Sequence, residues 1–281
     1  MRPVPGKSLC VASRMRGKEK GESKTVGDKD EYQSILHKMT THEDGTIMND
    51  IDMNNDIIMN NDTTTNNDTI TGNDTITILQ YNLGKNQSTT YSILNDPSSQ
   101  KYTALLLQEQ YWSKFTESSL LHHSWTLIEP TIYRKQPRSV IYINNNLIKT
   151  ESFIPISIPF GDVSAVELVT ATNVRPMLII NVYNPEGNEL IDDLKQYLRN
   201  QLRTDKYDEI IVGGDFNLHH PLWNPTNYRR HDGKADELIE IMAENGLNLL
   251  LPADTITYPR AGTTIDLVWG NEKVAQAVEK C

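Results

Sequence analysis

The chain has 281 residues and carries 27 lysines and arginines against 37 aspartates and glutamates, which gives a net charge of −10. That length allows one or two domains, and the acidic balance argues against a broad DNA-binding groove, because such grooves neutralise phosphates with lysines and arginines. A metal-dependent nuclease is not excluded, since its own carboxylates lower the balance. The two cysteines, Cys10 and Cys281, form neither a zinc spacing nor a disulfide framework, and no apolar run approaches the length of a membrane-spanning helix.

Residues 1–74 are predicted to form a disordered, low-complexity segment. Their basic start has no apolar stretch behind it, so it does not indicate a secretory signal. Further along, an Asn-Asn-Asp unit recurs at Asn54-Asn55-Asp56, Asn60-Asn61-Asp62 and Asn66-Asn67-Asp68. Such a segment buries too little apolar area to offset the entropy of ordering. Calcium binding by the repeated aspartates is disfavoured, because the EF-hand pattern and its closing glutamate are absent.

The remainder, residues 75–281, is predicted to form one folded domain in which strands outnumber helices. Alternating or continuous apolar residues predict strands at 76–82, 104–109, 139–143, 165–170, 177–183, 209–213 and 264–269. Helical spacing of leucines predicts a helix at 189–202, and a second helix is predicted at 234–245, with Gly246 as its natural stop. This set of elements favours an α/β fold in which two packed sheets are flanked by helices.

The segment Gly213-Gly214-Asp215-Phe216-Asn217 follows the strand predicted at 209–213. Residues two apart on an extended segment point to the same side, so Asp215 and Asn217 are presented together. A carboxylate can bind or polarise, while a carboxamide can donate to a phosphoryl oxygen without adding negative charge. The pair therefore suits a site for a phosphate and a divalent cation. The alternative is an ordinary Gly-Asp turn, since glycine, aspartate and asparagine are common turn residues.

Other polar residues recur where the predicted strands end. They are Asn82, Glu109, Asn181, Tyr183 and Asp266. Glu109 alone could be a surface residue that ends a strand. Asp266 is more informative, because a carboxylate between two apolar neighbours must face solvent or be paired within the core. Together these residues supply carboxylates for a hard cation, amides for phosphate oxygens and a phenol for hydrogen bonding.

Six short motifs contain these residues or lie between them. They are Gln80-Tyr81-Asn82-Leu83, Leu107-Gln108-Glu109-Gln110, Arg138-Ser139-Val140-Ile141-Tyr142, Asn181-Val182-Tyr183-Asn184-Pro185, Gly213-Gly214-Asp215-Phe216-Asn217 and Thr263-Thr264-Ile265-Asp266-Leu267-Val268. In these motifs the chain resembles the endonuclease/exonuclease/phosphatase superfamily, and most of all the endonuclease domain of non-LTR (LINE-type) retrotransposons, which is related to apurinic endonucleases. The extension His219-His220-Pro221-Leu222-Trp223 points to the retrotransposon branch. The resemblance implies a four-layer α/β sandwich over residues 75–281, with two facing mixed sheets flanked by helices and the active site at one end of the sheets.

The resemblance also implies a cofactor and a catalytic group. Glu109 would be the principal ligand of Mg²⁺, for which Mn²⁺ could substitute, with Asn82 nearby as a further metal and substrate ligand. Tyr183 would hydrogen-bond the scissile phosphate. Asp215 would position or activate the attacking water, and Asp266 would orient a catalytic histidine.

Further substrate contacts are implied for residues around that group. Asn217 would hold a phosphoryl oxygen, and Asn181 would lie at the substrate. Arg138 would support phosphate binding or merely cap a strand. The implied substrate is DNA, which suggests the nucleus as location. The implied partner is a reverse transcriptase region, which is expected in the full-length element and is absent from this sequence.

The chain departs from the family pattern after Asp266. The family's catalytic histidine lies in a downstream Ser-Asp-His motif, and none of the seven histidines here follows Asp266. We therefore expect a domain that lacks its last strand and has impaired catalysis. His219 or His220 could substitute, although both fit loop residues packed with Trp223. Gly84 is a second departure, because many relatives have an acid at that position.

The leading interpretation is thus a Mg²⁺-dependent DNA endonuclease domain that nicks one strand, with reduced activity in this chain. One alternative is a phosphatase or lipid phosphodiesterase of the same superfamily, which the His219–Trp223 extension disfavours. The other alternative is a remnant that binds without catalysis. No membrane association is expected.

Overall fold

A computed structural model describes residues 9–14, 75–130, 136–169, 174–185, 189–201, 206–252 and 254–278. The strands of the described part are β1 (Leu9–Arg14), β2 (Ile76–Asn82), β3 (Ala104–Gln108), β4 (Trp112–Ser113), β5 (Ser118–Ser119), β6 (Trp125–Ile128), β7 (Ser139–Asn144), β8 (Phe153–Ile156), β9 (Val163–Leu168), β10 (Met177–Tyr183), β11 (Glu209–Asp215), β12 (Leu247–Leu249) and β13 (Asp266–Asn271). The α-helices are α1 (Gln87–Asn95), α2 (Glu189–Gln201), α3 (Gly233–Glu244) and α4 (Glu272–Ala277). Short 3₁₀ helices cover Pro97–Lys101 and Thr150–Ser152.

The strands form two mixed sheets and a small ribbon. The first sheet has the order β1-β2-β3-β7-β6, and the second has the order β12-β13-β11-β10-β9-β8. In the first sheet β1, β2 and β3 run parallel, while β7 is antiparallel to both of its neighbours. In the second sheet β10 and β11 are parallel and the other pairs are antiparallel. Strands β4 and β5 pair only with each other in the described part.

Three apolar cores separate four layers. The central core joins the two sheets and includes Ile78, Leu106 and Ile141 from the first and Ile179 and Ile211 from the second. The outer face of the first sheet packs on α1, and the outer face of the second packs on α2 and α3. Because strand side chains alternate between faces, each central strand contributes to two cores at once. The predicted four-layer α/β sandwich is confirmed.

The helix ends follow from local chemistry. The α1 helix begins after Asn86, whose side chain accepts the Thr89 N–H at 3.0 Å and so caps the first turn. The α3 helix ends just before Gly246, which has a φ of 67° that suits glycine. Helices α2 and α3 lie where helices are predicted, although residue 202 lies outside the described part. None of the described helices is both long and apolar enough to span a membrane.

Some elements differ from the sequence predictions. Strand β1 lies in the segment predicted to be disordered, because its apolar residues Leu9 to Ala12 extend the first sheet along β2. The rest of residues 1–74 lies outside the described part of the chain. Strand β13 begins at Asp266 rather than at 264, since Thr264 and Ile265 lie in a loop held by Thr257 and Thr255.

Candidate active site

Strand parity brings polar side chains to one end of the space between the sheets. In β10, Met177 and Ile179 face the central core and Tyr183 lies on the same side at the strand end. In β11, Ile211 faces the central core in the same way, and Asp215 lies on that side at the strand end. The inter-sheet layer is therefore apolar at one end of the strands and polar at the other. The site is built from strand ends of both sheets.

Asn181 forms a polar link between the two sheets. Its Nδ2 donates to the carbonyl oxygens of Leu107 at 3.1 Å and Val140 at 2.8 Å, and its Oδ1 accepts Gln108 Nε2 at 2.5 Å. The side chain is fully buried. This position differs from the substrate contact predicted for Asn181, because an amide that satisfies strand carbonyls inside the sandwich is not exposed to a phosphate. Asn181 instead fixes the spacing of the sheets beneath the site.

Glu109 occupies a strained position directly after β3. Its φ of 47° lies in the left-handed region, which is uncommon for a residue other than glycine. Its N–H donates to the Arg138 carbonyl at 2.8 Å, and its own carbonyl accepts the Lys85 N–H at 2.6 Å. Its carboxylate Oε1 accepts the Tyr183 hydroxyl at 3.0 Å. Neighbouring loops thus hold the carboxylate at the rim between the two sheets, and such outliers often mark functional sites.

Asp215 lies at the end of β11 and is fully buried. Its Oδ2 accepts Asn82 Nδ2 at 2.6 Å, and its Oδ1 accepts the Asn217 N–H at 3.2 Å. The first bond crosses from one sheet to the other, so residues 133 positions apart in sequence meet here. The carboxylate is oriented by two fixed donors.

Asn217 has a φ of 49°, which turns the chain sharply after Asp215. Its Nδ2 donates to the carbonyl of Asn184 at 2.7 Å, and Asn184 Nδ2 donates to the carbonyl of Phe216 at 2.7 Å. These two amides staple the loop after β10 to the loop after β11. The Asn217 amide therefore uses one of its two N–H groups within the protein.

These contacts connect into one group. Tyr183 bonds Glu109 in the facing sheet, and Tyr183 and Asp215 are register partners on adjacent strands. Asp215 contacts the first sheet through its hydrogen bond with Asn82. Asn82 is the register partner of Gln108, the residue before Glu109. The structure thus brings together Asn82, Glu109, Tyr183, Asp215 and Asn217, all of which the sequence motifs single out.

Arg138 lies beside this group but is committed to a partner that the sequence did not reveal. Its Nε and Nη2 contact the two carboxylate oxygens of Asp162 at 3.0 and 2.5 Å. Its guanidinium lies 4.7 Å from the centre of the Tyr183 ring. The hydrogen bond to Asp162 raises the pKa of Arg138. Asp162 follows a glycine in a turn, with no motif around it, and spatial proximity alone identifies it.

Asp266 begins β13 and is the antiparallel register partner of Asp215. Its side chain is buried, so of the two options that the sequence left open, the core position is the one observed. Its N–H donates to Thr257 Oγ1 at 3.1 Å, and the Ile265 N–H donates to the same oxygen at 3.0 Å. The carboxylate therefore lies next to the site rather than on the outer surface.

Three contacts fix the His220 side chain within its own loop and against helix α3. Its ring lies 5.2 Å from that of Trp223, as predicted, and its Nδ1 accepts the Leu222 N–H at 2.9 Å. A neutral imidazole that accepts at Nδ1 carries its proton on Nε2, and Nε2 lies 3.2 Å from Asp236 Oδ1. His231 Nε2 lies 2.8 Å from the other oxygen of Asp236.

These three side chains are close enough to suggest a metal site. In the structure, His220 Nε2 and His231 Nε2 each contact one oxygen of Asp236. The group is better described as a staple between the loop after β11 and helix α3, which it reaches through Asp236.

His219 is enclosed by a second set of neighbours. Its ring lies 5.0 Å from that of Tyr228, and its backbone N–H donates to Asp232 Oδ2 at 2.9 Å. Burial lowers the pKa of His219, with a smaller contribution from Arg230, and is opposed by Asp232 and by a hydrogen bond with Asn224. A histidine kept neutral by burial serves the packing of this loop.

The lowered pKa of His219 predicts a pH effect on stability. The folded state binds this proton less well than the unfolded state, so stability is lost as pH falls below the ordinary value of 6.5. We expect the free energy of unfolding to decrease between pH 7 and pH 5, as measured by urea denaturation. His219→Phe should flatten this part of the profile while keeping the contact with Tyr228. An unchanged profile in His219→Phe would contradict this role of burial.

The chemistry of the donors fits a hard divalent cation. Glu109 presents a partly exposed carboxylate, and Asp215 and Asn82 supply further carboxylate and amide oxygens. Oxygen donors of this kind are those that Mg²⁺ and Mn²⁺ prefer. Glu109 and Asn82, the two residues predicted to hold the metal, carry oxygen atoms of this kind.

Comparisons with known proteins agree with the fold described above. Residues 177–281 match the family described as Endonuclease-reverse transcriptase. Among solved structures, the endonuclease domain of TRAS1, a telomere-specific non-LTR retrotransposon, is 18% identical, covers 69% of this chain and 84% of its own, and has a TM-score of 0.52. The AP endonuclease LMAP from Leishmania major is 13% identical, covers 73% and 81%, and also has a TM-score of 0.52. No curated protein matches the chain.

The chain thus shares its fold with these two endonucleases, and residues 177–281 are similar to the endonuclease-reverse transcriptase family.

Proposed function

We propose that this domain is a metal-dependent phosphodiesterase that nicks DNA, as the endonuclease of a non-LTR retrotransposon does. The observation that carries the proposal is the hydrogen-bonded group of Asn82, Glu109, Tyr183 and Asp215 at the ends of two facing sheets. The similarity to the endonuclease domain of TRAS1, a telomere-specific retrotransposon, supports DNA as the substrate class. A DNA substrate implies action in the nucleus, and the family match implies a reverse transcriptase region as partner.

Each residue of this group would have its own role in the reaction. Glu109 and Asn82 would hold Mg²⁺ or Mn²⁺, which when bound neutralises phosphate charge and stabilises the leaving oxygen. The Tyr183 hydroxyl would donate to a phosphate oxygen from the position where it now bonds Glu109. Asp215, fixed by its two donors, would orient the attacking water and accept its proton. Asn217 would donate its second amide N–H to the phosphate.

In the described part of the chain, no histidine side chain is placed at this site as an acid or base. No histidine follows Asp266 in the sequence, while His219 and His220 are engaged in loop packing and in the contact with Asp236. A positioned acid or base contributes roughly 10²–10⁴-fold to rate. We therefore propose that the chain of residues 1–281 nicks DNA slowly when nothing else supplies an acid–base group.

Plasmid nicking tests both parts of this proposal. With Mg²⁺, the 281-residue chain should relax supercoiled plasmid slowly, and EDTA should stop the reaction. Added imidazole should raise the rate by roughly tenfold or more, because it supplies the missing acid–base group. Asp215→Asn should abolish both rates, while the matched control Asp208→Asn, at the other end of the β11 strand, should leave them unchanged.

The possible outcomes separate the alternatives. Fast nicking without imidazole that Asp215→Asn abolishes would refute the reduced rate and restore a complete enzyme. Nicking that Asp215→Asn leaves intact would reject the site. No nicking under any condition, together with retained Mg²⁺ binding, would favour a binding remnant. Hydrolysis of inositol phosphate or sphingomyelin in preference to plasmid would favour the phosphatase or phosphodiesterase alternative.

A further inference from the structure

The turn after β2 places a lysine beside Glu109. Gly84 and Lys85 both have positive φ, at 57° and 61°. The Gly84 N–H donates to Asn82 Oδ1 at 2.9 Å, and the Lys85 N–H donates to the Glu109 carbonyl at 2.6 Å. The left-handed conformation is uncommon for lysine, so these bonds select one course for the turn. That course holds the base of the Lys85 side chain against the end of β3.

The Lys85 ammonium stands at the mouth of the site. Its Nζ lies 3.6 Å from Glu109 Oε1, the same oxygen that accepts the Tyr183 hydroxyl. The Lys85 side chain is 63% exposed, whereas that of Glu109 is 13% exposed. An ion pair this open to solvent adds little stability, so folding alone does not account for it. The ammonium is oriented toward the site and remains accessible from solvent.

Arg138, a second cation near Glu109 in the described part of the chain, is already paired with Asp162. Arg138 gives two of its nitrogens to Asp162 and stacks on Tyr183, so its charge is balanced within the protein. The Lys85 ammonium contacts Glu109 at the longer distance of 3.6 Å, so it can exchange this carboxylate for another anion at a small cost in free energy. Gly84, the residue before Lys85, adds no charge to this side of the site.

We infer that Lys85 binds a DNA phosphate next to the scissile bond and opposes cation binding at Glu109 while DNA is absent. The inference rests on the proposed function of the site. Without DNA, the ammonium repels a divalent cation that approaches Glu109. A phosphate that enters the site attracts the ammonium and lowers this repulsion. Metal binding and DNA binding therefore support each other through Lys85.

Lys85→Gln tests the inference because it should shift two affinities in opposite directions. Calorimetry on the DNA-free full chain should show Mg²⁺ binding that is roughly fivefold tighter, since one positive charge beside Glu109 is gone. Fluorescence anisotropy with a short labelled duplex in EDTA should show DNA binding that is roughly fivefold weaker at low salt. The slope of log affinity against log salt should fall by about one, as expected for one lost phosphate contact.

Matched variants control for charge and position. Lys85→Arg keeps the charge and should change neither affinity by more than about twofold. Lys101→Gln removes an exposed lysine at the opposite end of the first sheet, where the Lys101 carbonyl accepts the hydroxyl of Thr77 at 2.8 Å. It should match the unaltered chain in both measurements.

Each other outcome contradicts the inference. Tighter Mg²⁺ binding with unchanged DNA binding would make Lys85 a mere counter-ion of Glu109. Equal effects of Lys85→Gln and Lys101→Gln on DNA would show a nonspecific charge effect. An unaltered chain that binds neither Mg²⁺ nor DNA would reject the proposed function itself, whereas an unaltered chain that binds both, with no change in Lys85→Gln, would reject only the role of Lys85.

Discussion

Replacing Gly214 with alanine should destabilise the domain by about 4 kcal/mol or more, which places it among the most damaging single substitutions. A Cβ at this position would lie 2.0 Å from the Val182 carbonyl oxygen and 2.7 Å from the Val182 nitrogen and carbonyl carbon. Val182 is the register partner of Gly214 on the neighbouring parallel strand, so the clash is between two backbones. A rotamer change cannot relieve it. The φ of 147° at Gly214 is also one that side chains rarely adopt.

The control for this prediction is Gly246→Ala at the end of α3. Gly246 also has a positive φ, of 67°, but a Cβ there would meet nothing within 4 Å. Its cost should be limited to the backbone conformation, at roughly 1–2 kcal/mol. Urea denaturation of the two variants and the unaltered chain gives the comparison. Similar unfolding free energies for the two variants would contradict the strand geometry described for β10 and β11.

Gly214 also connects stability to function. It immediately precedes Asp215, and the close approach of β11 to β10 is what aligns Asp215 with Tyr183. A larger residue at 214 would separate these strands at the end where the site lies. The glycine pair at 213 and 214 is therefore part of the site, although neither residue has a side chain to contribute.

The sequence predicted the fold well where a period was strong. The leucines of α2 and the apolar runs of β3, β10 and β11 each had a single reasonable interpretation, and each lies where it was expected. Helix α1 was missed because it is short and mostly polar, and its capping residue Asn86 was the available signal. Strand β1 was missed because its neighbours in sequence are polar and low in complexity, which outweighed four apolar residues.

The candidate site was predictable in its members but not in its contacts. Motifs at strand ends identified Asn82, Glu109 and Asp215, yet the bond from Asn82 to Asp215 spans 133 positions and depends on how the sheets face each other. Asn181 belongs to a motif of the same kind and lies on the same side of β10 as Tyr183. It comes two residues before the strand end, so its side chain is buried and links the sheets. Asp162 and Lys85 carried no motif at all. Their roles follow only from distances to Arg138 and Glu109.

We propose that strand ends from both sheets form one metal site around Glu109. Glu109→Gln should remove metal binding almost completely, because it replaces the partly exposed carboxylate of the site with a neutral amide of the same shape. The fold should persist, since the Tyr183 hydroxyl can still donate to the amide oxygen. Glu117→Gln, in the exposed turn between β4 and β5, is the matched control.

Titration with Mn²⁺, followed by electron paramagnetic resonance, measures this most directly because it counts bound ions without requiring catalysis. We predict one ion per chain for the unaltered protein and for Glu117→Gln, and a loss of affinity of roughly 100-fold or more for Glu109→Gln, in line with removal of a charged ligand. Equal Mn²⁺ binding by all three proteins, or by none, would contradict a metal site at Glu109.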